Sequence, residues 1–126
     1  MSALRILIVD DKPSVRAGVR LMLETHSDWQ ICGEASDGVE AVVKAAELLP
    51  DIILLDISMP KMDGLRALPL IKQASPGSQV VVLTLHEYLE TARLAAQAGA
   101  AAYVTKSLLI ELIPTLEALR PGDNII

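Results

Sequence analysis

Phenylalanine is absent from this sequence, and aromatic residues of every kind make up only 2% of it. A core without large rings has to be filled by Leu, Ile, Val and Ala, a bias that suits a buried parallel sheet covered by helices. Cysteine is almost missing as well. Cys32 stands alone, which excludes an intrachain disulfide and gives no sign of an oxidising compartment. Set between Ile31 and Gly33, it reads as a small buried thiol. No apolar run approaches the ~20 residues that span a bilayer. The opening Met1-Ser2-Ala3-Leu4-Arg5 lacks the apolar stretch of a signal peptide, so a soluble, cytoplasmic protein with no membrane contact is expected. Basic residues are in deficit, eleven against sixteen acids, for a net charge of −5. Phosphate contacts need clustered Lys and Arg, so direct nucleic-acid binding by this chain is not expected.

What remains is the composition of one ordinary globular domain, 126 residues long and 52% hydrophobic. Short apolar runs alternate with helical stretches. The runs are Leu4 to Val9, Trp29 to Ala35, Asp51 to Leu55, Val80 to Leu83 and Ala101 to Val104. Their length, β-branched content and charged or Gly/Pro boundaries mark buried strands. Val15, Val19, Met22 and Leu23 give the first helix its stripe, with Pro13 in its first turn. Val39, Val42, Val43 and Ala46 mark the second, opened by Asp37-Gly38. A third spans roughly Leu65 to Ala74; Pro69 falls inside it, so an irregular or late start is expected. A fourth runs from about Tyr88 to Gln97 with Gly99 as C-cap, and a fifth from about Leu109 to Leu119 with Pro114 near its first turn. Five alternations of strand and helix give an α/β fold with a parallel sheet. His26 is read as a helix-end residue and Trp29 as core or edge packing. Leu94, Ala95, Ala98, Leu112, Leu116 and Leu119 either form a dimer face or pack on the sheet.

In open α/β sheets chemistry gathers beyond the carboxyl ends of the strands. Strand one ends in Asp10-Asp11, strand three in Asp56 and strand four in Thr84, while Lys106 follows strand five. If strands one and three are neighbours, three carboxylates share one cleft with a hydroxyl and an ammonium. Two carboxylates 4 Å apart repel by ~4 kcal/mol at an effective dielectric of 20. A hard divalent cation such as Mg²⁺ offsets this with oxygen ligands and leaves room for a phosphate oxygen. That inventory is sufficient for phosphoryl transfer to Asp56. Taken singly, each residue has a plainer reading: Asp10-Asp11 as a helix cap and turn, Thr84 as strand propensity, Lys106 as a solvated charge. The set at one sheet edge carries the argument.

Val9-Asp10-Asp11, Leu54-Leu55-Asp56-Ile57-Ser58-Met59-Pro60 with Met62-Asp63-Gly64, Leu83-Thr84 and Lys106 resemble the receiver domains of two-component response regulators. The resemblance covers essentially the whole chain in order and spacing. Glu34-Ala35-Ser36-Asp37-Gly38 and Leu83-Thr84-Leu85-His86 further resemble the NarL/FixJ-like subfamily. It implies a flavodoxin-like (CheY-like), doubly wound sheet of five parallel strands in the order 2-1-3-4-5, with five helices. Residues 1–120 would be the receiver and 121–126 the start of a linker or tail.

By the same resemblance, Asp56 is the phospho-acceptor. Asp11, Asp56 and the main-chain carbonyl of Ser58 bind Mg²⁺, with Asp10 acting through water. Lys106 pairs with the phosphoryl group and Thr84 hydrogen-bonds it, after which the Tyr103 ring turns inward as part of the switch. Ser58 and His86 lie where receivers tune hydrolysis of the aspartyl phosphate. The donor is a sensor histidine kinase, and phosphorylation promotes a homodimer or releases a second domain. The output is transcription through a C-terminal DNA-binding domain. On this reading the chain is a signalling switch rather than an enzyme.

Two departures from the family pattern stand out. Leu85 is bulky where a small residue commonly follows the Thr, and Ser107 replaces the Pro that often follows the Lys. A non-proline cis bond there would cost ~3–4 kcal/mol.

Other functions fit less well. A degenerate receiver acting only as an interaction module would be expected to lack one of the five polar residues. A phosphatase of the haloacid-dehalogenase type wants Asp-x-Asp after the first strand, whereas Asp10-Asp11 is followed by Lys12-Pro13. A flavodoxin-like cofactor binder needs phosphate donors there, which two carboxylates would repel.

Overall fold

A computed structural model describes residues 3–57, 64–84 and 89–119. Five strands, β1 (Leu4–Val9), β2 (Trp29–Ala35), β3 (Ile52–Asp56), β4 (Gln79–Thr84) and β5 (Ala102–Thr105), form one parallel sheet. Its order is β2-β1-β3-β4-β5. The helices are α1 (Pro13–Glu24), α2 (Gly38–Leu48), α3 (Gly64–Ala74), α4 (Leu89–Gln97) and α5 (Leu112–Leu119), the last preceded by a 3₁₀ segment over Lys106–Glu111. The expected strand order and element sequence are those observed, with strand ends displaced by about one residue.

The central strands β1, β3 and β4 are buried on both faces, and alternation along the strands sorts the core into two halves. Leu7, Val9, Ile53, Leu55, Val80 and Val82 point to the face covered by Ala41 and Ala45 of α2, Ala67, Leu68 and Ile71 of α3, and Ala95 of α4. Ile6, Ile8, Ile52, Leu54, Val81 and Leu83 point to the other, under Val19 and Leu23 of α1 and Leu112 and Leu116 of α5. Each fully buried Leu, Ile or Val among them contributes roughly 1.5–3 kcal/mol. Leu112 and Leu116 therefore pack on the sheet, as does Ala95, while Leu94 stays exposed.

Two expectations need correction. The buried face of α2 is Gly38, Ala41 and Ala45, with Val42 and Leu48 partly buried; Val39, Val43 and Ala46 are exposed. Valine marks an apolar stripe by hydropathy, but α2 packs on both the sheet and α3, and that approach favours alanine. The third helix is already regular at Gly64 and runs through Pro69. Pro69 is exposed, so water can satisfy the carbonyl its missing N–H leaves behind. Pro114 is the third residue of α5, within the first turn as expected.

Local signals set the remaining ends. Asp37 caps α2 by accepting from the Glu40 N–H at 2.8 Å, while the Glu40 carboxylate reaches back to the Ser36 N–H at 2.7 Å. Leu49 ends that helix in the left-handed region, at φ 46°. His26 follows α1 and stacks on Trp29, ring centroids 3.9 Å apart, with Nε2 3.4 Å from Glu117 on α5. Cys32 sits where β2 slips a residue against β1, since Ile6 pairs with Ile31 but Leu7 with Gly33. The thiol is half-buried rather than buried as expected, and that burial raises its pKa.

At the end of the sheet where β1, β3 and β4 begin, polar groups bind the connections together. Ser75 Oγ lies 2.6 Å from Ser78 Oγ, which donates to the Pro50 carbonyl, and Lys72 donates to the Ser78 carbonyl at 2.7 Å. Arg5 donates its N–H to Asp51 and its guanidinium to the carbonyls of Leu48 and Leu49.

Candidate phospho-acceptor site

At the opposite end, β1 and β3 are hydrogen-bonded neighbours, with Val9 beside Leu55. Asp10 and Asp56 therefore leave the sheet side by side. One oxygen from each of Asp10, Asp11 and Asp56 lies within 4.8 Å of the others. Asp10 and Asp56 are buried, each 2% exposed, and Asp11 is partly open to solvent. Thr84, fully buried, ends the next strand one residue beyond Leu83, the partner of Asp56. Lys106 enters from the residue after β5, its side chain only 9% exposed. The five residues singled out at the strand ends are thus brought to one edge.

The ammonium of Lys106 bonds Asp10 Oδ2 at 2.8 Å and stands 3.8 Å from Asp56 Oδ1. Asp10 Oδ1 accepts the Lys12 N–H at 2.9 Å, and the Lys12 ammonium sits outside, 3.5 Å from Asp11. Three oxygen-bearing carboxylates with one facing solvent suit a hard cation that keeps some of its waters, and the donor set fits Mg²⁺. Carboxylates this close repel by several kcal/mol at intermediate dielectric, which one lysine offsets only in part. Every peptide bond among the described residues is trans, the one after Lys106 included.

Gly64 opens α3 close against the backbone of Asp56 and Ile57. A Cβ there would lie 2.5 Å from the Asp56 carbonyl oxygen and 2.6 Å from Ile57 Cα. Only glycine lets the helix approach this closely. Tyr103, level with Val82, is half-buried against the α2–α4 face of the core. Ser58, Pro60, Leu85 and His86 lie outside the described residues.

Sequence reasoning missed Arg16. Its guanidinium donates to the Asp10 main-chain carbonyl at 2.6 Å and to Glu34 Oε1 at 2.9 Å. Arg20 joins the same carboxylate at 2.6 Å. Burial alone would raise the Glu34 pKa, but the hydrogen bonds from Arg20 and Arg16 outweigh it and hold the group below its ordinary value. The available signal was a cation in the first turns of a helix, where the dipole opposes positive charge.

The model of the response regulator receiver domain matches residues 6–116. The chain belongs to this family. Its fold is similar to that of a solved two-component response regulator of the LuxR family from Aurantimonas sp. SI85-9A1. That chain is 36% identical, with a TM-score of 0.89 over 94% of this chain and 85% of the other. Among curated relatives, an uncharacterized transcriptional regulatory protein of Bacillus subtilis, YhcZ, is 41% identical over 95% of the receiver. The nitrate/nitrite response regulator NarL of Escherichia coli K12 is 34% identical over 96% of it. The receiver spans 56% of the length of both. Such receivers are the signalling switches of two-component systems, and among the described residues no helix is long and apolar enough to cross a membrane.

Proposed function

We propose that this receiver accepts a phosphoryl group on Asp56 from a sensor histidine kinase and thereby controls an output, transcription being the one its relatives favour. One observation carries the reading: the buried Asp56 carboxylate emerges between two other acids, with an ammonium 3.8 Å away. An Asp56 oxygen attacks phosphorus, an O–P bond forms, and the bond from phosphorus to the donor nitrogen breaks. Asp11 and Asp56, with the Ser58 carbonyl and with Asp10 through water, would hold Mg²⁺, which when bound neutralises charge on the phosphoryl oxygens. Lys106 moves from Asp10 toward those oxygens, and the Thr84 hydroxyl donates to one of them.

Thr84 and the half-buried Tyr103 then shift together, and Ser58 and His86 tune hydrolysis of the group. Residues 1–120 form the receiver and 121–126 begin the connection to a DNA-binding domain, which the greater length of the relatives supports. Phosphorylation promotes a homodimer or frees that domain, in the cytoplasm where a kinase's phosphohistidine is available.

Intact mass after incubation with acetyl phosphate tests this, with and without Mg²⁺ and beside Asp56→Ala. One phosphoryl adduct that requires Mg²⁺ and disappears in the variant is expected. No adduct from acetyl phosphate, other small donors or a phosphorylated kinase would leave a phosphorylation-independent interaction module.

A further inference from the structure

Asp10 is held at every polar atom. Its N–H donates to the Ala35 carbonyl at 3.0 Å, Oδ1 accepts from Lys12, Oδ2 from Lys106, and its carbonyl accepts from Arg16. The two backbone restraints end at the same place, since Ala35 and Glu34 are adjacent at the end of β2. Among the described residues Asp11 has no comparable support: its carboxylate meets only the exposed Lys12 ammonium, at 3.5 Å. What orients Asp11 is therefore its backbone, and the peptide plane that carries it is the one whose carbonyl Arg16 grips.

We infer that Arg16 is a positioning residue: by tying the Asp10 carbonyl to Glu34 it fixes the Asp10–Asp11 peptide, and so the carboxylate spacing a divalent cation requires. The inference rests on the phospho-acceptor reading of the site. Several features make the brace stiff. Arg16 spans two partners with one planar group, which a lysine ammonium does not reproduce. Glu34 is fixed in turn by Arg20, and its own carbonyl accepts from Lys44. Arg16 also has its main-chain N–H on the Lys12 carbonyl at 3.1 Å, so guanidinium and helix start grip both sides of the acid turn. A mere counter-charge would make the opposite prediction, because a cation beside three carboxylates competes with a bound metal ion.

Titration calorimetry with MgCl₂ alone, without a phosphodonor, separates these on variants checked for fold by circular dichroism. Arg16→Ala is expected to raise the Mg²⁺ dissociation constant about tenfold or more, as loss of a group supporting metal ligands does. Arg16→Lys, which keeps the charge, stays weakened, and Glu34→Gln falls between Arg16→Ala and wild type. Unchanged or tighter Mg²⁺ binding in Arg16→Ala, or wild-type binding in Arg16→Lys, overturns the inference and leaves the phospho-acceptor reading intact. If Arg16→Ala does not fold, the Arg16→Lys result decides alone. Asp11→Asn controls for the site. If wild type binds no more Mg²⁺ than Asp11→Asn does, the reading itself fails and the positioning role falls with it.

Discussion

Lys106 is bonded to Asp10, at 2.8 Å, and stands a further ångström from Asp56. There the ammonium occupies the acid cluster much as a metal ion would, so a Mg²⁺ ion that binds there would have to compete with it. Lys106→Met is expected to bind Mg²⁺ at least about tenfold more tightly, while its phosphorylation by acetyl phosphate slows sharply. The metal-free variant should be destabilised by about 3–5 kcal/mol, since it leaves buried carboxylates without their cation. Melting curves with and without Mg²⁺ check both effects, and an equal Mg²⁺-induced shift in variant and wild type would contradict them.

Gly64→Ala places a methyl group against the backbone of Asp56 and Ile57, and backbone cannot move aside as a side chain can. Unfolding free energy is expected to fall by about 1–3 kcal/mol, the usual range for overpacking. On the proposed reading the yield of phosphoryl adduct should fall with it, because the displaced carbonyl belongs to Asp56. Urea unfolding and intact mass give the two numbers; a neutral substitution would show that the helix start can retreat.

The depressed pKa of Glu34 makes a statement about acid stability. A carboxyl lowered on folding contributes stability that is complete above its ordinary value of 4.5 and is lost as pH falls through the folded-state value. The urea midpoint should therefore decline below about pH 4.5. Glu34→Gln should start lower at neutral pH and decline less steeply. Parallel acid limbs in the two proteins would argue against the ion pairs with Arg20 and Arg16.

Leu49 carries a bulky side chain at φ 46° and is 60% exposed. A glycine tolerates that conformation without steric cost and is the usual residue at such a helix end. Leu49→Gly is expected to gain about 0.5–1 kcal/mol in urea unfolding, less whatever the freer unfolded chain takes back. A loss would mean that the leucine side chain contributes packing beyond its exposed surface.

The sheet and the acid edge were legible because each strand announced its own end: apolar runs stopped at Asp10, Asp56 and Thr84, and chain order did the rest. The α2 face was misread because hydropathy ranks Val39 and Val43 above Ala41 and Ala45, whereas close packing on sheet and helix prefers the smaller side chain. Pro69 misled for a related reason, since a proline on a solvent face costs a helix less than one inside. Arg16 escaped because nothing in a linear pattern joins it, on α1, to Glu34, eighteen residues away on β2. The partner of Lys106 was equally out of reach. Sequence put the ammonium in one cleft with three carboxylates, and only the placement of β5 brings it onto Asp10.

The serine pair, Lys72, Arg5 and Asp51 give the sheet a fastened heel. Its bonds join the entries of β1, β3 and β4 to one another, so none of those connections can fray without breaking a bond to a neighbour.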